Sequence, residues 1–252
     1  MLLQAEAIAV QKYNVSIIIP AFNEEELLEA AVEKVLKWAL QNLKSFEIII
    51  VENGSTDTTA NISDRLAGKY SGVVVLHLPE ASIGKAIKAG MQRAKLESIV
   101  VLDADWIDLD FMAKSLKSLE EGDIVVGSKM LNPASDHRPF FRKVLSWMLT
   151  MFIRVVFRFR GSDSHGLNAF RAQSVKPIME ECQMSEIIKT ELLLRAQRKG
   201  LKIIEFPASI KELRAPRLSV IKRCFMVSRE LWQLSRVLRD IRRANEVNRV
   251  AR

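Results

Sequence analysis

Short apolar segments alternate with helical patterns through the first half of this 252-residue chain. The apolar segments are continuous rather than alternating, which is typical of parallel strands covered by helices on both faces. This alternation predicts an α/β fold with a doubly wound, mostly parallel sheet. The predicted strands are 15–20, 46–51, 73–77, 99–102 and 124–126, and the predicted helices are 25–41, 57–70, 83–94 and 111–119.

The second half of the chain has a different pattern. Residues 139–160 are typical of a basic, apolar amphipathic helix that ends at Gly161. A mixed segment follows, with a helix predicted at 190–199, a stop at Gly200 and a strand at 202–206. Residues 218–243 are predicted to form a long basic helix with an apolar stripe, made of Val220, Phe225, Leu231, Leu234 and Leu238.

Charge is divided unevenly along the chain. Residues 1–137 carry 13 Lys/Arg against 20 Asp/Glu, a net of −7, whereas residues 138–252 carry 25 against 10, a net of +15. A uniformly basic protein would suggest non-specific binding of polyanions. An acidic half followed by a basic half indicates two separate tasks.

Cellular context is constrained by three features. Cys182 and Cys224 are the only cysteines, which excludes a disulfide scaffold or a Cys-rich zinc module and suits a reducing cytosol. The first residues lack the pattern of a secretory signal. The longest apolar stretch, 144–153, is shorter than the roughly 20 residues that span a bilayer. We therefore expect a cytoplasmic protein, with association at a membrane surface left open.

Polar clusters follow three of the predicted strands. Asn23 and Glu24 come after the first, residues 52–57 after the second, and Asp103 and Asp105 after the fourth. Ligands of doubly wound sheets bind beyond the carboxyl ends of the strands. Carboxylates gathered there require a positive partner, and Mg²⁺ or Mn²⁺ prefers oxygen ligands shared with substrate phosphates. An isolated Asp-x-Asp more often caps structural elements, but its combination with two other clusters favours a metal site.

The segment 79–90 contains a glycine–lysine pair without being a P-loop. Pro79 stands where the first glycine is required, and Ala86 replaces the Ser/Thr. Gly84 and Lys85 open a predicted helix whose N-terminus favours a phosphate or a sugar hydroxyl. Lys85 is either functional or a solvated residue of the helix start.

Several motifs together resemble the family 2 inverting glycosyltransferases, which have the GT-A fold. The motifs, in order, are IPAFNEE, VENGSTD, GKAIKAG, LDAD, GSK and DSHGLNAFR. The dolichyl-phosphate mannose synthase group is the most similar branch, and the resemblance covers about residues 14–215. It implies a glycosyltransferase domain over 1–215, with a nucleotide-sugar half (1–137), an acceptor half (138–215) and a basic helical extension (216–252).

The resemblance places a nucleotide-sugar pocket on matching positions. Pro20, Phe22 and Glu24 fall where the family lines the nucleotide pocket, with Phe22 in place of a more usual Tyr. Glu52 and Asn53 fall on paired aspartates, the second of which usually contacts the base. Asn53 donates and accepts hydrogen bonds but carries no charge, so the choice between GDP- and UDP-hexose stays open.

The same resemblance implies that the LDAD motif binds metal and diphosphate. Asp103, Ala104 and Asp105 match this motif, with the two carboxylates as ligands of Mg²⁺ or Mn²⁺. Ile107 occupies a position where the mannose synthases often have Gln, so Asp108 or water is the expected substitute in the coordination. Whether Asn53 and Ile107 reduce activity stays open.

The resemblance also implies roles for residues near the phosphates and the acceptor. Lys129 matches a commoner Arg and is expected to face the phosphates as a point charge. Asp163 matches the family's active-site aspartate. His165 is expected at the acceptor or the metal, with a structural role as the alternative. Lys85 is also expected to bind the nucleotide-sugar.

The basic half suggests an acidic acceptor at a membrane. The helix at 139–160 combines aromatic and aliphatic residues with cations at both ends, a profile of helices that lie in the headgroup region. The second basic helix, at 218–243, also favours a membrane surface because it combines cations with an apolar stripe. The alternatives are a core-packing helix for 139–160 and a homodimer interface for either helix. The candidates for gripping a lipid phosphate are Arg138, Arg142, Lys143, Arg214 and Arg217.

The sequence and the resemblance therefore predict a metal-dependent inverting glycosyltransferase that moves a hexose, mannose or glucose, from a nucleotide-sugar to polyprenyl or dolichyl phosphate at the cytosolic membrane face. One alternative is a soluble glycosyltransferase that acts on a hydroxyl, with Asp163 or Asp108 as the base. A second is a non-catalytic relative that serves as a scaffold or regulatory subunit. Nucleic-acid binding is disfavoured because the cations lie on apolar amphipathic helices without a recognition module.

Overall fold

A seven-stranded sheet organises the chain in the computed structural model, which describes residues 12–132, 139–208 and 225–239. The spatial order of the strands is β3-β2-β1-β4-β6-β5-β7. All neighbouring strands are parallel except β6, which runs antiparallel to both β4 and β5. The strands are β1 Asn14–Ala21, β2 Ser45–Asn53, β3 Val73–Leu78, β4 Ser98–Val101, β5 Ile124–Ser128, β6 Leu167–Arg171 and β7 Ile203–Pro207.

Helices cover both faces of this sheet, so the doubly wound, mostly parallel α/β fold is confirmed. The helices are α1 Leu28–Asn42, α2 Thr59–Lys69, α3 Ile83–Arg93, α4 Leu109–Ser118, α5 Phe140–Phe157, α6 Ala172–Glu181, α7 Ile188–Arg198 and α8, residues 225–239.

Two apolar cores lie on opposite faces of the sheet. Along β1, Ile17 and Ile19 belong to the core under α1, α2 and α4, whereas Ile18 belongs to the core under α3, α5, α6, α7 and α8. All three side chains are fully buried. The continuous apolar strands follow from this arrangement, because successive side chains of a strand point to opposite faces and both faces are covered.

The antiparallel strand β6 and helix α6 are missing from the prediction. β6 (LNAFR) is short, and α6 contains Pro177 and begins directly after β6, so the segment lacks a clear period and a turn signal. The consequence for function is large. Because β6 is antiparallel, its first residue, Leu167, lies at the edge where the parallel strands end.

Helix α5 ends earlier than predicted. Its last helical residue is Phe157, and the next residue, Arg158, adopts a left-handed conformation with φ of 56°. The predicted stop at Gly161 is therefore wrong by about one turn. The left-handed conformation at Arg158 ends the helical hydrogen bonding before the glycine is reached.

Helix α8 buries most of the stripe that had suggested a membrane surface. Leu231, Leu234 and Leu238 are at most 6% exposed and belong to the core shared with α5 and α7. Phe225, in contrast, is exposed, and Val220 lies outside the described residues. The stripe on α8 is thus mainly a packing face. Among the described helices, none combines the length and the apolar character that crossing a membrane requires.

Candidate active site

Polar side chains from five strands meet at one edge of the sheet. The parallel strands β1, β2, β4 and β5 end there, and the segment that precedes antiparallel β6 reaches the same edge. This edge is where doubly wound sheets bind their ligands. Of the residues expected in the nucleotide pocket, Pro20 and Glu24 are buried and Phe22 is partly exposed.

The loops after β1 and β2 are joined by side-chain to backbone hydrogen bonds. The backbone N–H of Asn23 donates to Ser55 Oγ (3.0 Å), and the N–H of Thr56 donates to Asn23 Oδ1 (2.8 Å). The N–H of Glu24 donates to Thr59 Oγ1 at 2.7 Å. Asn23 has a left-handed φ of 53°, which asparagine tolerates better than most residues. The motifs NEE and NGSTD therefore form one connected wall.

Glu52 lies in this wall as a buried carboxylate. Its Oε1 accepts from the backbone N–H of Ser55 at 2.6 Å, and its Oε2 lies 3.1 Å from His77 Nδ1. Burial alone would raise the pKa of Glu52, but these hydrogen bonds outweigh burial and hold the pKa below its usual value. The other nitrogen of His77 contacts Asp64 at 2.9 Å. The hydrogen bonds to Asp64 and Glu52 raise the pKa of His77.

Asn53 bridges two neighbouring segments from the end of β2. With the amide oriented to satisfy both groups, its nitrogen donates to the carbonyl of Ala21 and its oxygen accepts from the N–H of Ser82 at 3.2 Å. The residue is 3% exposed. A carboxylate here would have no proton to donate to Ala21, so the amide suits this bridge.

The Asp-x-Asp turn follows β4 and is held by its own backbone. The N–H of Trp106 donates to the carbonyl of Asp103 at 2.8 Å, and these two residues form an isolated β-bridge. Ala104 is buried, and Asp105 is partly exposed. The Asp103 carboxylate faces the ammonium group of Lys189, which lies 3.5 and 3.4 Å from its two oxygens.

These carboxylates suit a hard divalent cation that also binds substrate phosphates. In the described part of the chain, no three Asp, Glu, His or Cys side chains are grouped so that they could hold a metal ion. Asp103 and Asp105 offer oxygen donors from one turn, and Mg²⁺ commonly takes one or two carboxylates plus phosphate oxygens. Asp108 caps α4 instead, accepting from the N–H of Phe111 at 2.8 Å. The donor set therefore fits Mg²⁺ or Mn²⁺ together with a diphosphate.

A buried ion pair joins the end of β5 to the segment before β6. Lys129 Nζ lies 3.2 Å from Asp163 Oδ2, with side chains only 7% and 2% exposed. Asp163 Oδ1 accepts from the N–H of His165 at 2.9 Å. Burial tends to raise the pKa of Asp163, but Lys129 and the His165 N–H lower it, so the carboxylate stays ionised. The ammonium also lies 5.5 Å from the ring centroid of Trp106.

The predicted acceptor residues are mostly absent from the described part. Arg138, Arg214, Arg217 and the side chain of Arg142 lie outside it. Lys143 lies half-buried in the first turn of α5. His165 joins the site through its backbone, because its carbonyl accepts from Lys129 Nζ at 3.2 Å, and its ring Nδ1 lies 2.9 Å from Ser164 Oγ.

Lys85 stands apart from the carboxylates of this edge. Its ammonium pairs with Glu80, and its side chain is 63% exposed. Its backbone N–H donates to Ser82 Oγ, the cap of α3. The structure thus places Lys85 in the solvated first turn of α3.

Sequence reasoning missed two residues of this edge and one residue that supports it. His77 was available from the parallel register, which sets it beside Glu52. Lys189 carries no sequence signal, because its partner Asp103 is 86 residues away and no strand pairing links them. Glu230 on α8 accepts from the backbone N–H groups of Ser185 (3.1 Å), Glu186 (2.8 Å) and Ile187 (3.0 Å), just before α7. No sequence pattern predicts this contact, because it forms only where α8 packs next to α7.

Comparisons with solved structures identify the fold. A mannosyltransferase of Pyrobaculum calidifontis, solved with GDP-Man and Mn²⁺, superposes with a TM-score of 0.64 over 90% of this chain and 65% of that chain, at 18% identity. Glucosyl-3-phosphoglycerate synthase of Mycobacterium tuberculosis, solved with UDP, gives 0.60 over 92% and 80%, also at 18% identity. The expected GT-A fold is confirmed.

Sequence comparisons give the family. A dolichyl-phosphate beta-glucosyltransferase (ALG5D) of Trichomonas vaginalis is 29% identical over 82% of this chain and 68% of its own length. A dolichol-phosphate mannosyltransferase of Pyrococcus furiosus is 29% identical over 77% of this chain and 55% of its own length. The chain thus spans about half to two thirds of these relatives. Residues 16–178 match the family described as glycosyl transferase family 2. This chain is a member of glycosyltransferase family 2.

Proposed function

We propose that this enzyme transfers one hexose from a nucleotide-sugar to a polyprenyl or dolichyl phosphate, with inversion at the sugar carbon and with help from Mg²⁺ or Mn²⁺. The observation that carries the proposal is the convergence at one sheet edge of a closed pocket wall and the Asp103–Asp105 turn. The pocket wall suits the nucleoside, and the turn suits the diphosphate. Relatives named for dolichyl-phosphate substrates support the choice of a lipid phosphate acceptor.

In this proposal, the nucleoside lies against the wall formed by the β1 and β2 loops. Glu52 and Asn53 end β2 there, and hydrogen bonds to Ser55, His77, Ala21 and Ser82 fix both side chains. Side chains that are fixed before binding lose little conformational entropy when the ligand arrives. The donor is a GDP- or UDP-hexose, and mannose and glucose are the sugars that the relatives' names favour.

The reaction replaces one bond at the sugar carbon C1 with another. An oxygen of the acceptor phosphate forms a bond to C1, the bond from C1 to the diphosphate breaks, and the nucleoside diphosphate leaves with the electron pair. A bound Mg²⁺ or Mn²⁺, held by Asp103 and Asp105, supplies positive charge beside the diphosphate. An ionised phosphate needs no strong general base, so the protein's main task is to hold both reactants in line.

Lys129 and Asp163 act in the proposal as a fixed unit. The Lys129 ammonium provides a point charge near the phosphates, and Asp163 positions it through the 3.2 Å ion pair. Asp163 is 1% exposed and already bonded to the His165 N–H, so it acts through Lys129 and not as a base that takes a proton.

We place the enzyme on the cytosolic face of a membrane through α5. Its inner face packs Ile153 and Phe157 into the core, while its outer face is apolar and exposed. Such a helix, with cations along its length, is typical of the lipid headgroup region. The exposed apolar residues of α5 are Phe140, Phe141, Trp147, Met148, Met151, Phe152, Val155 and Val156.

A thermal-shift panel tests the donor half of the proposal. A ligand that binds only the folded state raises the apparent stability, by about 2.7 kcal/mol at 100 times its Kd. We expect GDP or UDP to raise the melting temperature with Mn²⁺ present and much less with EDTA. The matched control is Asp105→Ala, which should lose the metal-dependent part. If neither diphosphate shifts the wild type, or if Asp105→Ala shifts equally, the proposal is wrong.

A further inference from the structure

Lys189 holds a position that the family resemblance does not assign. Its side chain is only 12% exposed, and its ammonium lies 3.5 and 3.4 Å from the two oxygens of Asp103, the first carboxylate of the Asp-x-Asp turn. Within the described residues, Asp103 is the anion that Lys189 faces. A buried ammonium is stable only beside such a partner.

The two roles of Asp103 compete with each other. A divalent ion bound at the Asp103 carboxylate draws on the same oxygens that now face Lys189 and places two positive charges beside its ammonium. Like charges at close range in a partly buried site repel strongly. When a metal binds Asp103, Lys189 therefore needs a new anion within reach. The diphosphate of the donor is the anion that arrives with the metal.

The backbone before α7 anchors Lys189 near this turn. Lys189 is the second residue of α7, and the Glu230 carboxylate accepts three backbone N–H groups, from Ser185, Glu186 and Ile187. One residue further on, Thr190 Oγ1 donates to the carbonyl of Ser164 at 3.4 Å. The ammonium therefore has a limited range of motion, which includes Asp103 and ligands bound beside it.

We infer that Lys189 belongs to the diphosphate site. In the free enzyme its ammonium neutralises Asp103, and when a metal replaces it at the Asp103 carboxylate, the ammonium binds the donor diphosphate. The inference rests on the proposed function and adds one residue to it. Two consequences have opposite signs. Lys189 weakens the binding of metal alone, and it strengthens the binding of a diphosphate together with metal.

The test compares Lys189→Met with wild type in two titrations without any sugar transfer. Mn²⁺ binding to the free protein is measured by electron paramagnetic resonance, and binding of GDP and UDP at saturating Mn²⁺ is measured by calorimetry. We expect Lys189→Met to bind Mn²⁺ alone several-fold more tightly. We expect it to bind the diphosphate roughly tenfold or more weakly, since a charge-assisted hydrogen bond is lost.

Two further variants keep the test decisive. Lys189→Arg retains the charge and should preserve most of the diphosphate affinity. Lys88→Met removes a partly buried lysine, 28% exposed and paired with Glu180, away from the Asp-x-Asp turn, and it should change neither titration. Melting temperatures of all three variants show that they are folded.

The outcomes separate this inference from the proposed function. If wild type binds no diphosphate with Mn²⁺, the proposed function fails. If wild type binds and Lys189→Met leaves the diphosphate affinity unchanged, or weakens the binding of Mn²⁺ alone, only the role of Lys189 is overturned.

Discussion

Lys129 and Asp163 form a buried ion pair that joins the end of β5 to the segment before antiparallel β6, with 3.2 Å between Nζ and Oδ2. The Lys129 ammonium lies over the ring of Trp106, next to the Asp-x-Asp turn, and donates to the carbonyl of His165, in the segment before β6. It therefore links the two halves of the chain that differ in charge.

The two partners of this ion pair should be coupled in their effect on stability. Asp163→Asn leaves the Lys129 ammonium buried without its counter-charge, and we expect a loss of about 3–5 kcal/mol in the free energy of unfolding. Lys129→Met combined with Asp163→Asn should cost less than the sum of the two single variants. Urea unfolding of all four proteins gives the coupling energy, and additive losses would contradict the pairing.

His77 should make stability depend on pH near neutrality. Hydrogen bonds to Asp64 and Glu52 raise the pKa of His77 above its ordinary value of 6.5. A group whose pKa is raised on folding contributes stability that is fully present below its unfolded pKa. This contribution is lost as the pH rises through the folded pKa. Wild type should therefore lose its advantage over His77→Gln as the pH rises above 6.5.

The measurement for His77 is denaturant unfolding at several pH values between about 5.5 and 9, a range of roughly 3.5 units that includes the ordinary histidine pKa. A difference between wild type and His77→Gln that stays constant, or grows, as the pH rises would show that protonated His77 is not what stabilises the fold. Buffers of matched ionic strength are needed, since salt screens exposed charges.

Glu230 should hold the start of α7 in place. Glu230→Ala removes the acceptor for the N–H groups of Ser185, Glu186 and Ile187, and we expect a loss of about 1–3 kcal/mol. Faster hydrogen exchange at these three amides is the specific readout. Arg239→Ala, at an exposed position on the same helix, is the control. Unchanged hydrogen exchange in Glu230→Ala would show that Glu230 does not hold the start of α7.

The outer face of α5 should bind anionic vesicles. Trp147 and Val155 are 55% and 74% exposed, and replacing both with Ser should weaken binding to vesicles by about tenfold or more. Leu40→Ser, at an exposed site on α1, is the control for loss of an apolar side chain elsewhere. Nucleotide binding should stay unchanged in both. If wild type does not bind vesicles but sediments as a dimer, and the double variant sediments as a monomer, α5 is a protein interface instead.

Sequence patterns were sufficient for the parallel part of the sheet and for the motifs at its edge. Runs such as 15–20 are buried on both sides, and this leaves a signal that is independent of distant residues. The antiparallel strand β6 (LNAFR) was missed because Asn168 interrupts its apolar run and the next helix begins directly after it, without a turn signal. The Lys189–Asp103 contact was also missed, because it exists only where α7 and β4 meet in three dimensions.

The proposed membrane association rests on only one of the two basic helices whose sequence patterns favour it. The apolar stripe of α8 predicts a lipid surface from sequence, yet Leu231, Leu234 and Leu238 pack into the core. An amphipathic pattern shows that one face is apolar and does not say whether protein or lipid covers it. Exposure on α5 is the observation that now supports the proposal.

Transfer of labelled hexose into a lipid is the most direct test of the central claim. Purified enzyme, Mn²⁺ and a polyprenyl phosphate in detergent are incubated with labelled GDP-mannose or UDP-glucose, and the label that enters the organic phase is counted. We expect one of the two donors to label the lipid, with Asp105→Ala slower by about a hundredfold or more, because loss of metal-held charge costs several kcal/mol. Label that enters only a water-soluble acceptor, or a rate that Asp105→Ala leaves unchanged, would contradict the account.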